Sequence, residues 1–413
     1  MGYAETFLDR FAHFSRIGST GDGGVDRVEG SQANGEARRQ LVRWMKELGF
    51  NVSVDEIGNI FGLLNVAGES APLVLTGSHI DSQPRGGCFD GAYGVIAGLD
   101  AAVAVRDRLA KQSKPSSANL GVVAWMGEEG ARFRPLMGSR VYTGARTLQS
   151  ALDGKDMQGI SAREALAGIG FLGTDTAPKL PVAYVELHVE CGSQLEVRKK
   201  SLGVFTRWWG AHKVDLTFEG KTAHTGPTPM RARQDALYAA AQVIVAMRAL
   251  GDSAEIGSLH TSVAKLEVVP NSPNVVPCGA TACVELRSLD PEVIKRSYDH
   301  LLACASFAAT TARVKYAITR DDLREPGKFH EGLSQLAFEV AKCNGEEAVA
   351  VDTLGGHDAI MMAAVCPTVM LTVPSRAGLC HHPDEWTSQE DLERGMTWLS
   401  AVLERMITAE LPR

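Results

Sequence analysis

The sequence predicts an α/β fold with a mainly parallel sheet, interrupted by an inserted α+β domain. Three observations carry this. Continuous apolar runs, at Leu73, Val74 and Leu75 and over residues 120–126, 181–190 and 368–373, read as strands buried on both faces, as parallel strands are. Stretches of helical period lie between them. From about residue 210 to residue 325 the order changes to βαββαβ, with strands that alternate between one apolar and one polar face. The boundaries follow as 1–209 and 326–413 for the two parts of one domain and 210–325 for the insertion.

In chain order, residues 5–15 and 36–48 are spaced as amphipathic helices, separated by a Gly-rich loop over 18–35, and Gly49 ends the second helix. Residues 51–64 form a predicted hairpin. The strand at 73–75 leads into Thr76–Gly98, where Asp90 opens a helix reaching about residue 111 with Val95, Ile96, Leu99, Ala102 and Val103 on its apolar positions. The strand 120–126 ends in Gly127, Glu128, Glu129 and Gly130, and the strand 181–190 carries His188. In the insertion, strands are predicted at 212–218, 258–269, 280–286 and 312–318 and helices at 231–250 and 291–308. The first pattern then returns: a helix to about residue 343, strands at 348–351 and 368–373, and a last helix with a capping box over Thr387, Ser388, Gln389 and Glu390.

Composition narrows the function. With 413 residues, 45% hydrophobic and 22% charged, the chain is an ordinary globular protein with room for two cores. A net charge of -7 argues against a nucleic-acid partner, which selects for a basic face. No apolar stretch approaches membrane-spanning length, and residues 1–14 lack the basic head and apolar block of a secretory signal, so a cytoplasmic protein without a membrane partner is expected. The eight cysteines form no Cys-x-x-Cys pair and are read as reduced thiols, with Cys88, Cys191 and Cys380 close to polar motifs where thiolate ligation is an option.

Polar clusters gather at predicted strand ends, where open α/β sheets bind ligands. His79 and Asp81 point to one side of an extended chain, so the histidine could bind a metal through one ring nitrogen while the carboxylate orients the ring. Glu128 and Glu129 point to opposite sides, and two charges at a dry strand end call for a cation. His188 lies between Glu186 and Glu190 on one face, and His381 with His382 follows the last buried strand. Singly, each also fits a satisfied core histidine or a solvated acidic loop. Together, His, Asp and Glu groups at four strand ends point to a metal centre.

The runs GSHIDSQPRGGCFDG, GEEGARF, ELHVECG, AHTGPTPM, PNSPNVVP, GGHDA and LCHHPDE resemble, in order and over nearly the whole chain, the motifs of the M20 metallopeptidase-related amidases. The branch most resembled holds N-carbamoyl-L-amino acid amidohydrolases, β-ureidopropionases and allantoate amidohydrolases. The resemblance implies a metallopeptidase-like catalytic domain and an inserted lid and dimerisation domain. It implies two divalent metal ions bridged by Asp90, with His79, Glu129, His188 and His381 as the other ligands. Imidazole and carboxylate suit zinc, manganese, cobalt or nickel. The motif register favours His381 over His382.

The resemblance further implies that Glu128 is the general base for a metal-activated water and that His224 donates to the developing oxyanion; Asp81, as the partner that orients His79, is counted with them among the catalytic residues. Arg287 would grip the substrate carboxylate as a bidentate guanidinium does, beside Asn274; on the residues alone, a sheet-surface ion pair and a turn residue remain open for these two. Cys191, Gly356 and His357 are expected to line the pocket. Cys191 stands where the branch usually has glutamine, Cys380 where it has serine, and residues 352–358 keep only the end of a Ser-Gly-Ala-Gly-His-Asp motif. The expected activity is hydrolysis of the C–N bond of an N-carbamoyl-L-amino acid or related ureido acid by a homodimer joined through the insertion. Allantoate, or another small N-acyl or amide acid, is the alternative substrate.

Overall fold

Parallel pairing brings the ends of four apolar strands to one edge of a sheet. In the computed structural model, which describes residues 3–409, Asn119–Trp125 pairs with Leu73–His79, Leu73–His79 with Ala183–Val189, and Ala183–Val189 with Thr368–Val373, all parallel. The hairpin of Asn51–Val54 and Ile60–Leu64 extends the sheet antiparallel on one side. Leu202–Trp208 does so on the other, with Gly327–Lys328 and Ala348–Thr353 beside it, for nine strands in all. Leu73–His79, Asn119–Trp125 and Ala183–Val189 are buried almost throughout, which is why their sequences are unbroken apolar runs.

Helix Ala92–Gln112 packs against this sheet with nearly its whole N-terminal two-thirds buried. Helix Gln32–Glu47 begins earlier than its apolar spacing predicts, because Ser31 caps it by accepting the N–H of Asn34. The final helix, Gln389–Thr408, is capped by Ser388, which accepts the N–H of Asp391. The expected box on Thr387 and Glu390 does not form, since the Thr387 hydroxyl instead donates to Pro374 O. No helix among the described residues is long and apolar enough to cross a membrane.

The chain divides into two compact units, one running to Thr206 and resuming at Lys328, the other spanning Arg207–Gly327. The smaller unit contains a four-stranded antiparallel sheet, ordered Lys315–Arg324, Gly210–Glu219, Gly279–Ser288 and His260–Val269. Its helices are Ala236–Ser253 and Pro291–Ala312. The first starts later than its spacing predicts, because Asp235 provides the cap and Met230–Ala232 forms a separate 3-10 turn. Strict alternation of burial along Gly279–Ser288 turns one face onto a core of Val214, Leu216, Phe218, Val243 and Leu301.

Candidate metal centre

The strand ends deliver one cluster. His79 closes its strand, Glu128 and Glu129 follow the end of Asn119–Trp125, His188 sits next to last in Ala183–Val189, and His381 lies beyond the Arg376–Gly378 turn. Asp90 enters just before helix Ala92–Gln112. Gly91 takes φ +62° there, and a Cβ on it would lie 2.4 Å from the His79 ring, so only glycine lets Asp90 and His79 approach.

Asp90 divides the cluster in two. Its Oδ1 lies 3.1 Å from His188 Nε2 and 3.5 Å from His79 Nε2, whereas its Oδ2 lies 3.3 Å from His381 Nε2. His381 Nε2 is also 3.1 Å from Glu129 Oε2, and Glu128 Oε2 stands 3.8 Å from His79 Nε2. One carboxylate thus faces two donor sets, His79 with His188 and His381 with Glu129. His382 is outside both: its Nδ1 accepts the N–H of Asp384 at the surface.

Both inner rings are oriented by main-chain carbonyls. His79 Nδ1 lies 3.1 Å from the carbonyl oxygen of Asp81, and His188 Nδ1 lies 2.8 Å from that of Val189. With Nδ1 held by a carbonyl, each ring turns its Nε2 toward Asp90. The expectation that the Asp81 carboxylate orients His79 is therefore corrected. That carboxylate is 3.8 Å from the ring and accepts the N–H groups of Glu128 and Glu129 instead, because the chain bends after His79 and turns it toward the acidic loop.

Three supporting groups escaped sequence reasoning, although Gln83 and Glu385 lie inside the quoted motifs and Asn59 in the predicted hairpin. Gln83 donates to Glu129 through its main-chain N–H at 3.2 Å and its side-chain amide at 3.0 Å. Glu385 is buried and accepts from the N–H groups of Phe89 and Asp90, in a space that Gly87 leaves, since a Cβ there would meet the Glu385 carboxylate. Asn59 accepts the N–H of Met126, just ahead of the Glu128 loop, and donates to Gly138 O and to Asp55. Period and spacing mark apolar faces and carry no signal for such long-range polar contacts.

Asp55 offers a measurable consequence. Burial pushes its carboxyl up to about 6 against an ordinary value near 4. The folded chain therefore holds this proton more tightly than the unfolded chain, and the resulting stability is full below pH about 4 and lost as pH rises through about 6. Relative to Asp55→Asn, which has no such proton, the wild type should lose roughly 2 kcal/mol between pH 4 and 6.5. Paired urea titrations read this difference; one independent of pH would refute it.

The cluster's electrostatics fit cations. Burial raises Glu128 well above the usual carboxylate range, reinforced by Asp358, Glu129 and Asp90. Burial likewise raises Asp81, Glu186 and Asp358, and takes Glu385 up to about 8. Burial opposes the charge on Asp90 too, but His188, His381 and His79 hold it well below its usual value. His188 Nε2 is buried, faces Asp90 and has no hydrogen-bond partner. His79, Asp90 and His188 offer ligand atoms within 4.8 Å of one another, as do Asp90, Cys380 and His381. Imidazole nitrogens converging among excess buried carboxylates are a donor set suited to divalent metal ions.

The family model for peptidase family M20/M25/M40 matches residues 75–405. The chain belongs to this family. It is 32% identical to an N-carbamoyl-L-amino acid amidohydrolase of Geobacillus stearothermophilus, over 95% of each chain. It is 31% identical to an allantoate amidohydrolase of Bacillus subtilis, over 97% of each. The crystal structure of an amidase of the hydantoinase/carbamoylase family from Burkholderia vietnamiensis superposes with a TM-score of 0.92 at 32% identity, covering 98% of both chains.

Other predicted site residues of this M20 chain fall into two groups. Around the cluster, the buried His357 ring meets that of His188 at 4.7 Å and its Nε2 lies 2.8 Å from Thr353 Oγ1. Gly356 precedes it in the same loop, and Cys191 Sγ lies 3.9 Å from His188 Nδ1. The remainder belong to the smaller unit. There His224 and Asn274 come together, because Ala223–His224 pairs with Val275–Val276 and Thr225 N–H donates to Asn274 O. His224 is exposed and its Nδ1 accepts the N–H of Gly226, which leaves the ring proton on Nε2. Arg287 lies on the four-stranded sheet, 2.8 Å from Glu285 Oε1.

Proposed function

We propose that this chain is a dinuclear metal-dependent amidohydrolase that cleaves the C–N bond of an N-carbamoyl-L-amino acid or a related ureido acid. The observation that carries the reading is Asp90, whose two oxygens face separate His79/His188 and His381/Glu129 sets. His79, His188, His381, Asp90 and Glu129 would hold two divalent ions, with zinc, manganese, cobalt and nickel all suited to these ligands. Bound there, the ions supply Lewis-acid activation of water and carbonyl.

The remaining steps belong to side chains. Glu128, beside His79, takes the proton of the attacking water and returns it to the leaving nitrogen. Asp81 fixes the main chain at Glu128 and Glu129, so the base keeps its place. His224, whose ring proton is on Nε2, is a donor for the oxyanion. Arg287 and Asn274 bind the substrate carboxylate, and Cys191, Gly356 and His357 line the pocket.

The relatives favour two substrates almost equally, since the carbamoyl amino acid enzyme and the allantoate enzyme are 32% and 31% identical to this chain. Allantoate is therefore the second reading. Ammonia release from N-carbamoyl-L-amino acids, allantoate and simple amides, by protein stripped of metal and reloaded with each ion in turn, separates them. Metal-restored turnover of carbamoyl amino acids is expected. Absence of turnover on every ureido and amide acid would overturn the proposal.

The same reading makes the enzyme a cytoplasmic homodimer joined through the smaller unit. All eight cysteines are free thiols, the state a reducing compartment maintains. Tyr238, Val245 and Phe307 form an exposed apolar face on the two helices of that unit. Light scattering should return twice the 44.2 kDa chain mass, and Val245→Glu should lower it; a wild-type monomer would refute the dimer.

A further inference from the structure

We propose that Cys191 and Cys380 form a modification site, a dithiol that hydroperoxides close to a disulfide at the edge of the metal-ligand cluster. Their Sγ atoms lie 2.8 Å apart although the residues are 189 positions apart in the chain. That gap exceeds the ~2.05 Å disulfide bond by only about 0.8 Å. Each sits on a loop rather than in a strand, Cys191 in the turn after Ala183–Val189 and Cys380 beyond the Arg376–Gly378 turn, so the chain has freedom to close the remainder. Both are partly exposed, which admits a small oxidant. The sulfurs of Cys278 and Cys304 instead contact a carbonyl and a histidine, and Cys366 is buried beside Met362 and Thr368.

The chemistry balances with hydrogen peroxide as oxidant. One thiol attacks a peroxide oxygen, the O–O bond breaks, and a sulfenic acid and one water form. The second thiol displaces the sulfenic oxygen as a second water and the S–S bond forms. Two thiols thereby lose two electrons and two protons, and peroxide is reduced to two waters. A small dithiol reverses the change by exchange.

The pair is placed to affect the centre. Cys380 Sγ donates to Asp90 Oδ2 at 2.8 Å and is next in the chain to His381. Closing the disulfide removes that hydrogen bond and draws the His381 segment toward Cys191. Metal held by His381 and Glu129 should then be released, a consequence that rests on the metal reading above, whereas disulfide formation does not.

The test treats metal-loaded protein with hydrogen peroxide, blocks remaining thiols by alkylation, and maps peptides by mass without reduction. The expected result is a Cys191–Cys380 cross-linked peptide, two hydrogens lighter than its parts, that forms on oxidation and disappears with dithiothreitol. Metal content, measured in parallel, should fall on oxidation, and Cys191→Ser should retain its metal under the same treatment. Alkylated Cys191 and Cys380 after the other cysteines have oxidised, or sulfinic acid on either without the cross-link, would overturn the site. A cross-link formed with metal fully retained would overturn its coupling to the centre.

Discussion

Glu128→Gln is expected to keep its metal and lose turnover by roughly 10²- to 10⁴-fold, the range general-base removal produces. Glutamine has the shape of glutamate but cannot take a proton. Glu128 is 8% exposed, and burial, reinforced by Asp358, Glu129 and Asp90, raises its carboxyl well above the ordinary range. His79, with Nε2 at 3.8 Å, offsets part of this. Measuring kcat on the active substrate beside metal content by mass spectrometry separates loss of the base from loss of the ions. A Gln variant that turns over within a few-fold of wild type would remove Glu128 from the mechanism.

Asp90→Asn should empty both halves of the centre. The carboxylate faces His79 and His188 through one oxygen and His381 through the other, so its charge serves both donor sets. An amide puts an NH₂ group against one set and withdraws the negative charge from both. Even indirect partners of metal ligands change affinity by about 10- to 100-fold, and a shared ligand should exceed the upper end of that range. Glu129→Gln, which touches only His381 among the three histidines, is the comparison and should retain the metal held on the other side. Dialysis against dilute chelator followed by metal analysis reads the contrast, with circular dichroism confirming the fold. Full metal retention in Asp90→Asn would refute the shared-ligand assignment.

Sequence alone determined the two-part architecture and the residues that meet at the centre. Unbroken apolar runs reveal buried parallel strands whatever their order in space, and parallel strands carry their ends to one edge. His79, Glu128, Glu129, His188 and His381 could therefore be grouped from sequence, and the motif register favoured His381, whose ring faces Asp90 while that of His382 faces Asp384. Tertiary structure alone decided which oxygen of Asp90 faces which histidine, and that the carbonyl of Asp81 rather than its carboxylate holds the His79 ring. It also decided that Glu385 lies beneath Asp90 and that Cys191 touches Cys380. The physical reason is common to all of these. Hydrophobic period reports which face of a segment is buried, whereas hydrogen bonds between segments far apart in the chain depend on strand register and on loop bends such as those at Gly87 and Gly91, which no local pattern encodes.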